Sequence, residues 1–193
     1  MPVKIRTAQA LTQLTPAEKR AAEHLVTGAS NAKGAQALGI STTTFTGYIV
    51  AIGKKFGITS RRGRPARAHA VLASGQVPPP PSPERTPDFT ERDLRLLRAL
   101  AENAETHDIA RAAGIASADV RPLIDDLVDK AGADNDTHLV GLGHAWELLN
   151  TGPSQLAGAA QAPHAADPPL EASRSPWGAT PTTAGSSAIT VRR

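Results

Sequence analysis

Hydroxyl, amide and cationic side chains crowd the first third of this chain. Ser30, Asn31 and Lys33 stand together, Thr42, Thr43 and Thr46 follow, and Lys54, Lys55, Arg61, Arg62 and Arg64 close the stretch. Hydroxyls and amides bond phosphate oxygens or base edges, a threonine methyl packs on thymine, and Lys and Arg neutralise phosphates. This is chemistry for holding a polyanion. Chemistry for breaking bonds is not visible: there is no Gly-rich phosphate loop, nucleophile elbow or zinc-protease motif. With no Cys, disulfides and thiolate metal sites are excluded. Asp134, Asp136, His138 and His144 lie close in sequence, but His138 and His144 are six apart and do not share a helical face. A structural place in the last helix is the better reading for them. No catalytic residue, metal or cofactor is expected, and the chain reads as a non-enzyme.

The charge distribution supports the first reading. Residues 1–77 hold eleven Lys and Arg, Lys4 and Arg6 among them, against two acids. Residues 78–150 hold seven cations against fourteen acids. A basic half beside an acidic half points to nucleic acid for the first and another task for the second. No run of about twenty apolar residues could span a membrane. No apolar secretory segment opens the chain. A soluble, cytoplasmic, nucleoid-associated protein is expected.

The elements that must carry these residues are helices. Thr15-Pro16-Ala17-Glu18 has an N-cap, a proline at the first helical position and a capping-box acid. Ala21, Ala22, Leu25 and Val26 then recur at helical spacing, and Gly28 stops the run. A second helix covers about 31–38. Ser41 or Thr42 caps a third, whose Phe45, Ile49, Ile52 and Phe56 form an apolar stripe. If that stripe faces inward, Thr43, Thr46, Gly47, Val50 and Lys54 point outward. Gly47 costs such a helix about 1 kcal/mol relative to Ala, so it reads either as a place where a ligand meets the backbone or as drift. Tyr48 reads as a phosphate contact or as an aromatic at the core edge. A fourth helix covers roughly 65–73.

The whole arrangement then repeats. Leu38-Gly39-Ile40 returns as Ala113-Gly114-Ile115, and at the same offset Thr15 matches Thr90, Leu25 matches Leu100, Ile49 matches Ile124, Lys55 matches Lys130 and Gly57 matches Gly132. A gapless register over some forty positions means a duplicated unit. The fold class is therefore all-α: two small tandem helix-turn-helix domains at 1–75 and 88–150. A Pro-rich linker at 76–87 acts as a polyproline spacer, and a disordered tail covers 151–193. Trp177 in that tail is either a docking motif or incidental.

Leu14-Thr15-Pro16-Ala17-Glu18, Gly28-Ala29-Ser30-Asn31, Leu38-Gly39-Ile40-Ser41 and Ile52-Gly53-Lys54-Lys55-Phe56-Gly57-Ile58 occur in order. Over roughly residues 12–73 this resembles the LuxR-type (GerE-like) helix-turn-helix domain. The resemblance implies a four-helix module of bacterial transcription regulators, whose third helix reads the major groove and whose fourth often helps dimerise. Thr42, Thr43, Thr46, Gly47, Tyr48, Val50 and Lys54 would then lie on double-stranded DNA. Ser30, Asn31, Lys33, Lys54, Lys55, Arg61, Arg62 and Arg64 would hold its backbone. Three departures stand out. Gly34 replaces an apolar residue and weakens the second helix. Thr46 and Tyr48 stand where a basic residue and a His are common, so specificity does not carry over there.

The second unit matches this pattern only at Thr90, Gly114-Ile115 and Lys130-Ala131-Gly132. Its third helix carries Asp119, Asp125, Asp126 and Asp129 where phosphates would lie, and Pro122 disturbs its start. It reads as a degenerate copy used for protein contact: homodimerisation, docking onto the first unit, or a basic partner protein. A second reader using Arg92, Arg95, Arg98, Arg111 and Arg121 is the alternative for this unit. For the whole chain, the alternative to a DNA-binding regulator is an adaptor whose two units both bind proteins.

Overall fold

A computed structural model describes residues 13–149, and every regular element among them is an α-helix. The expectations for the 151–193 tail, Trp177, Lys4 and Arg6 lie outside the described residues. The helices are α1 Pro16–Val26, α2 Asn31–Leu38, α3 Thr42–Lys55, α4 Arg64–Ala73, α5 Glu91–Glu102, α6 Thr106–Ala113, α7 Val120–Ala131 and α8 Asp136–Ala145.

The starts follow from side chains that satisfy the first free backbone N–H groups. Thr15 and Glu18 close a capping box on α1, and Thr90 and Asp93 close its counterpart on α5. Ser30 and Ser41 cap α2 and α3. Gly39 takes φ 65° after α2, which lets the chain reverse through a short turn into α3. Pro122 sits at the third position of α7, where the missing N–H has no intrahelical partner to lose; a turn at 117–119 delays that helix.

Two hydrophobic clusters form. One joins Ala21, Ala22, Leu25 and Val26 to Phe45, Ile49 and Ile52 and to Ala68, Val71 and Leu72. The other joins Leu96, Leu97 and Leu100 to Ile109, Val120, Ile124, Leu127, Leu139 and Val140. Where the two differ, volumes trade places. Gly34 is buried because the Phe45 ring occupies the space its side chain would fill. In the second cluster the same two positions hold Ile109 and Val120, a larger residue at the first and a smaller one at the second, both buried. The apparent weakness at Gly34 thus accommodates a ring whose burial contributes roughly 1.5–3 kcal/mol.

The two clusters are pressed together. α4 packs along α8, α1 packs on α8, and α4 packs on α5. An added Cβ at Gly141 of α8 would strike the Val26 carbonyl of α1, and one at Gly63 would lie 2.8 Å from Ala104 Cβ. α8 buries most of its surface, from Thr137 through His144. The 76–87 segment departs from an open spacer: Val77 and Pro80 are buried, Pro80 lies against Gly141, and Trp146 Nε1 donates to the Pro83 carbonyl at 3.3 Å.

Candidate nucleic-acid interface

With Phe45, Ile49 and Ile52 buried, the opposite side of α3 is open. Thr42, Thr43, Thr46, Gly47, Val50 and Lys54 are exposed along it, and Val50 is the large apolar side chain that stands out, at 44% exposure. A Cβ added at Gly47 would meet nothing within 4 Å. Asn31 of α2 and Arg61 of the loop before α4 flank this face, and Ser30, Lys33 and Arg62 are accessible nearby in sequence. A groove of about 560 Å³ runs between these elements, lined by Asn31, Thr46, Val50, Lys54, Arg61 and their neighbours. Among the described residues, no carboxylate pairs with Lys33, Lys54, Arg61 or Arg62. Lys54 and Arg61 therefore border the groove without a carboxylate partner, while Lys33 lines a neighbouring depression with Asp134 and Arg62 lines a cavity shared with Arg121 and Asp136.

Not all of the expected residues are free to meet a ligand. Lys55 departs from the role of phosphate anchor. Its Nζ lies 2.6 Å from Glu18 Oε2 and donates to the Gln13 carbonyl at 2.9 Å, tying the end of α3 to the cap of α1. Burial pushes the Glu18 carboxyl up, but hydrogen bonds from Lys55 and from Thr15 outweigh it and hold the group below the usual range. The repeat carries the same lock, since Lys130 Nζ lies 2.7 Å from Asp93 Oδ2. The pairing of Lys55 with Lys130, together with an acid at both capping boxes, was the sequence signal for it.

Arg64 likewise works inward. It donates to Asn31 Oδ1 at 2.6 Å and to the Ala29 carbonyl. Asn31 Nδ2 then donates to Thr46 Oγ1 at 3.0 Å, and that hydroxyl donates to the Thr42 carbonyl at 2.8 Å. Arg64 and Asn31 are thus positioning residues that fix the angle between α2 and α3, and Thr46 offers outward mainly its methyl group. Burial, with Arg67 close by, pushes the Arg64 guanidinium below its usual value, while Asp136 acts in the opposite sense. Tyr48 is half-buried against the first cluster, which places it at the core edge.

Arg67 was not singled out by the sequence. Only 6% exposed, it donates to the Ile58 and Ser60 carbonyls at 3.2 and 2.6 Å and so shapes the loop that presents Arg61 and Arg62. A Cβ on Gly53 would intrude on Ile58 and the Arg67 guanidinium, so this glycine leaves room for the arginine. In the repeat the pair becomes Val128 and Leu142.

The equivalent face of the second unit has the opposite character. Val50, Lys54, Thr59 and Arg61 correspond to Asp125, Asp129, Asp134 and Asp136. Arg121, the counterpart of Thr46, lies 2.5 Å from Asp125 and 3.8 Å from Asp136. Arg111 is 3.1 Å from Asp108. His138 accepts from the Asp134 backbone N–H at 3.1 Å, whereas His144 is buried and turned to His69. Among the described residues, no three His, Cys, Asp or Glu side chains converge on a metal position, and no helix is long and apolar enough to cross a membrane.

Comparison with protein-family models, with curated proteins and with solved structures returned no match. The resemblance to LuxR-type domains rests on the four motifs quoted above.

Proposed function

We propose that this chain is a sequence-specific regulator of bacterial transcription that binds double-stranded DNA through a helix-turn-helix formed by α2 and α3. One observation carries the reading: α3, entered by a short turn, presents small hydroxyl and apolar side chains on an open face, beside a groove bordered by Lys54 and Arg61, neither of which has a carboxylate partner. A major groove about 12 Å wide admits such a helix. Thr42, Thr43, Gly47 and Val50 meet base edges, and the Thr46 and Val50 methyls suit thymine. Lys33, Lys54, Arg61 and Arg62 meet phosphates, with Ser30 at the start of α2. Asn31, Arg64 and Arg67 hold the reading surface in shape. The second unit serves as a protein-contact module.

Titration of the full-length chain with a labelled duplex at several salt concentrations tests this. Wild type is expected to bind at low salt and weaken steeply as salt rises. Lys54→Glu with Arg61→Glu should weaken binding across all sequences and lower the slope of log K against log salt by about 2, one for each lost phosphate contact. An absence of salt-dependent duplex binding by wild type would favour the adaptor reading.

A further inference from the structure

The contact between the two units has the pattern of a two-fold interface. In such an interface each element meets the counterpart of the element that meets it. α4 lies on α8, which is its own copy. α1 meets α8 just as α5 meets α4. Gly63 closes on Ala104, and on the other side Gly28, which precedes the Ala104 counterpart Ala29, closes on His138, the counterpart of Gly63. His69 and His144 occupy one repeat position, and their rings face each other with Nδ1 and Nε2 2.9 Å apart. A residue that touches its own copy marks the axis.

We infer that the second unit stands in for a second copy of the chain, so that the protein engages a duplex as a monomer and reads one site without an inverted repeat. The inference rests on the DNA-binding reading above. Three observations carry it. The surfaces through which the units pair in two-fold fashion, α4 and α8, are spent within the chain. The face of α7 that corresponds to the reading face of α3 carries Asp125 and Asp129 in place of Val50 and Lys54, and its one cation, Arg121, is held by two carboxylates. A second half-site would bring phosphates against those carboxylates, which lowers affinity there. The internal partner keeps its architectural role, bracing α4 and hence the loop bearing Arg61 and Arg62, and gives up contact with the ligand.

Selection of duplexes from a random pool by full-length protein, followed by light-scattering mass measurement of the complex, tests this. The expected result is one chain per duplex and an enriched sequence without two-fold symmetry, unchanged by Asp129→Ala. Two chains on an inverted or direct repeat would overturn the inference and leave the DNA-binding reading intact. One chain on an inverted repeat, or a sequence preference altered by Asp129→Ala, would overturn it too, because α7 would then be reading bases. Failure to enrich any duplex would remove both readings together.

Discussion

Exchanging the Gly34–Phe45 pair for the residues found at the same positions of the repeat is a direct test of how α3 is seated. Phe45 is fully buried, so Phe45→Val leaves a cavity at a cost of about 2–4 kcal/mol, somewhat under the roughly 3–5 of truncation to Ala. Gly34→Ile alone drives a branched side chain into the ring and costs about 1–3 kcal/mol by overpacking. Independent effects would sum to about 3–7 kcal/mol. The doubly substituted chain instead recreates the Ile109–Val120 arrangement, in which the volume lost at one position returns at the other. Its expected deficit is about 1 kcal/mol, because volume-conserving core exchanges are tolerated. The coupling between the two changes should therefore reach at least about 2 kcal/mol. Urea unfolding followed by far-ultraviolet circular dichroism gives each stability from the midpoint at constant slope. A double variant as unstable as the sum of the singles would refute the volume exchange and, with it, the register that equates these positions.

Two further outcomes follow from the geometry around α3. Lys55→Met should cost roughly 1–3 kcal/mol at neutral pH by leaving the Glu18 carboxylate without its cation. Because that carboxyl sits below its ordinary value in the folded chain, its contribution is present above the ordinary carboxylate range and is lost as pH falls through the lowered value. Urea midpoints of variant and wild type should therefore converge on acidification from pH 7, and a gap that is independent of pH would refute the ion-pair account. Gly47→Ala should raise stability by about 0.5–1 kcal/mol, since the added methyl enters open space. It should also weaken duplex binding if DNA approaches that backbone, and unchanged binding would leave Gly47 without a functional reason.

The helices were legible because their signals are local. Capping boxes at Thr15 and Thr90, glycine stops and the Phe45–Ile49–Ile52 stripe act within a turn or two of chain, and α2 and α6 fall where spacing puts them. Long-range partners were not legible in this way. Arg64 read as a surface cation because nothing near it in sequence shows Asn31 or the Ala29 carbonyl waiting for it, and Lys55 did so because its tie to Glu18 is written only in the repeat, as a lysine and a capping-box acid kept together. Arg67 escaped notice for the same reason: the carbonyls it serves carry no residue-type signature. The proline run read as a spacer from its stiffness alone, whereas its docking depends on Gly141 and Trp146, each more than sixty positions from the proline it meets. His69 and His144 could have been matched through the repeat, but only the packing of α4 on α8 brings them together.

The burial of α8 against α4 has a consequence during synthesis. At about 5–20 residues per second, the ribosome needs roughly 4–14 s after completing α4 to finish α8. Throughout that interval a newly made first half carries the sticky side of α4 bare. Neighbouring nascent chains on one messenger offer each other the same surface. The tether decides the competition, because covalent linkage holds the proper mate at a local concentration in the millimolar range. A lengthened 76–87 segment would weaken that advantage and favour entangled chains over single ones.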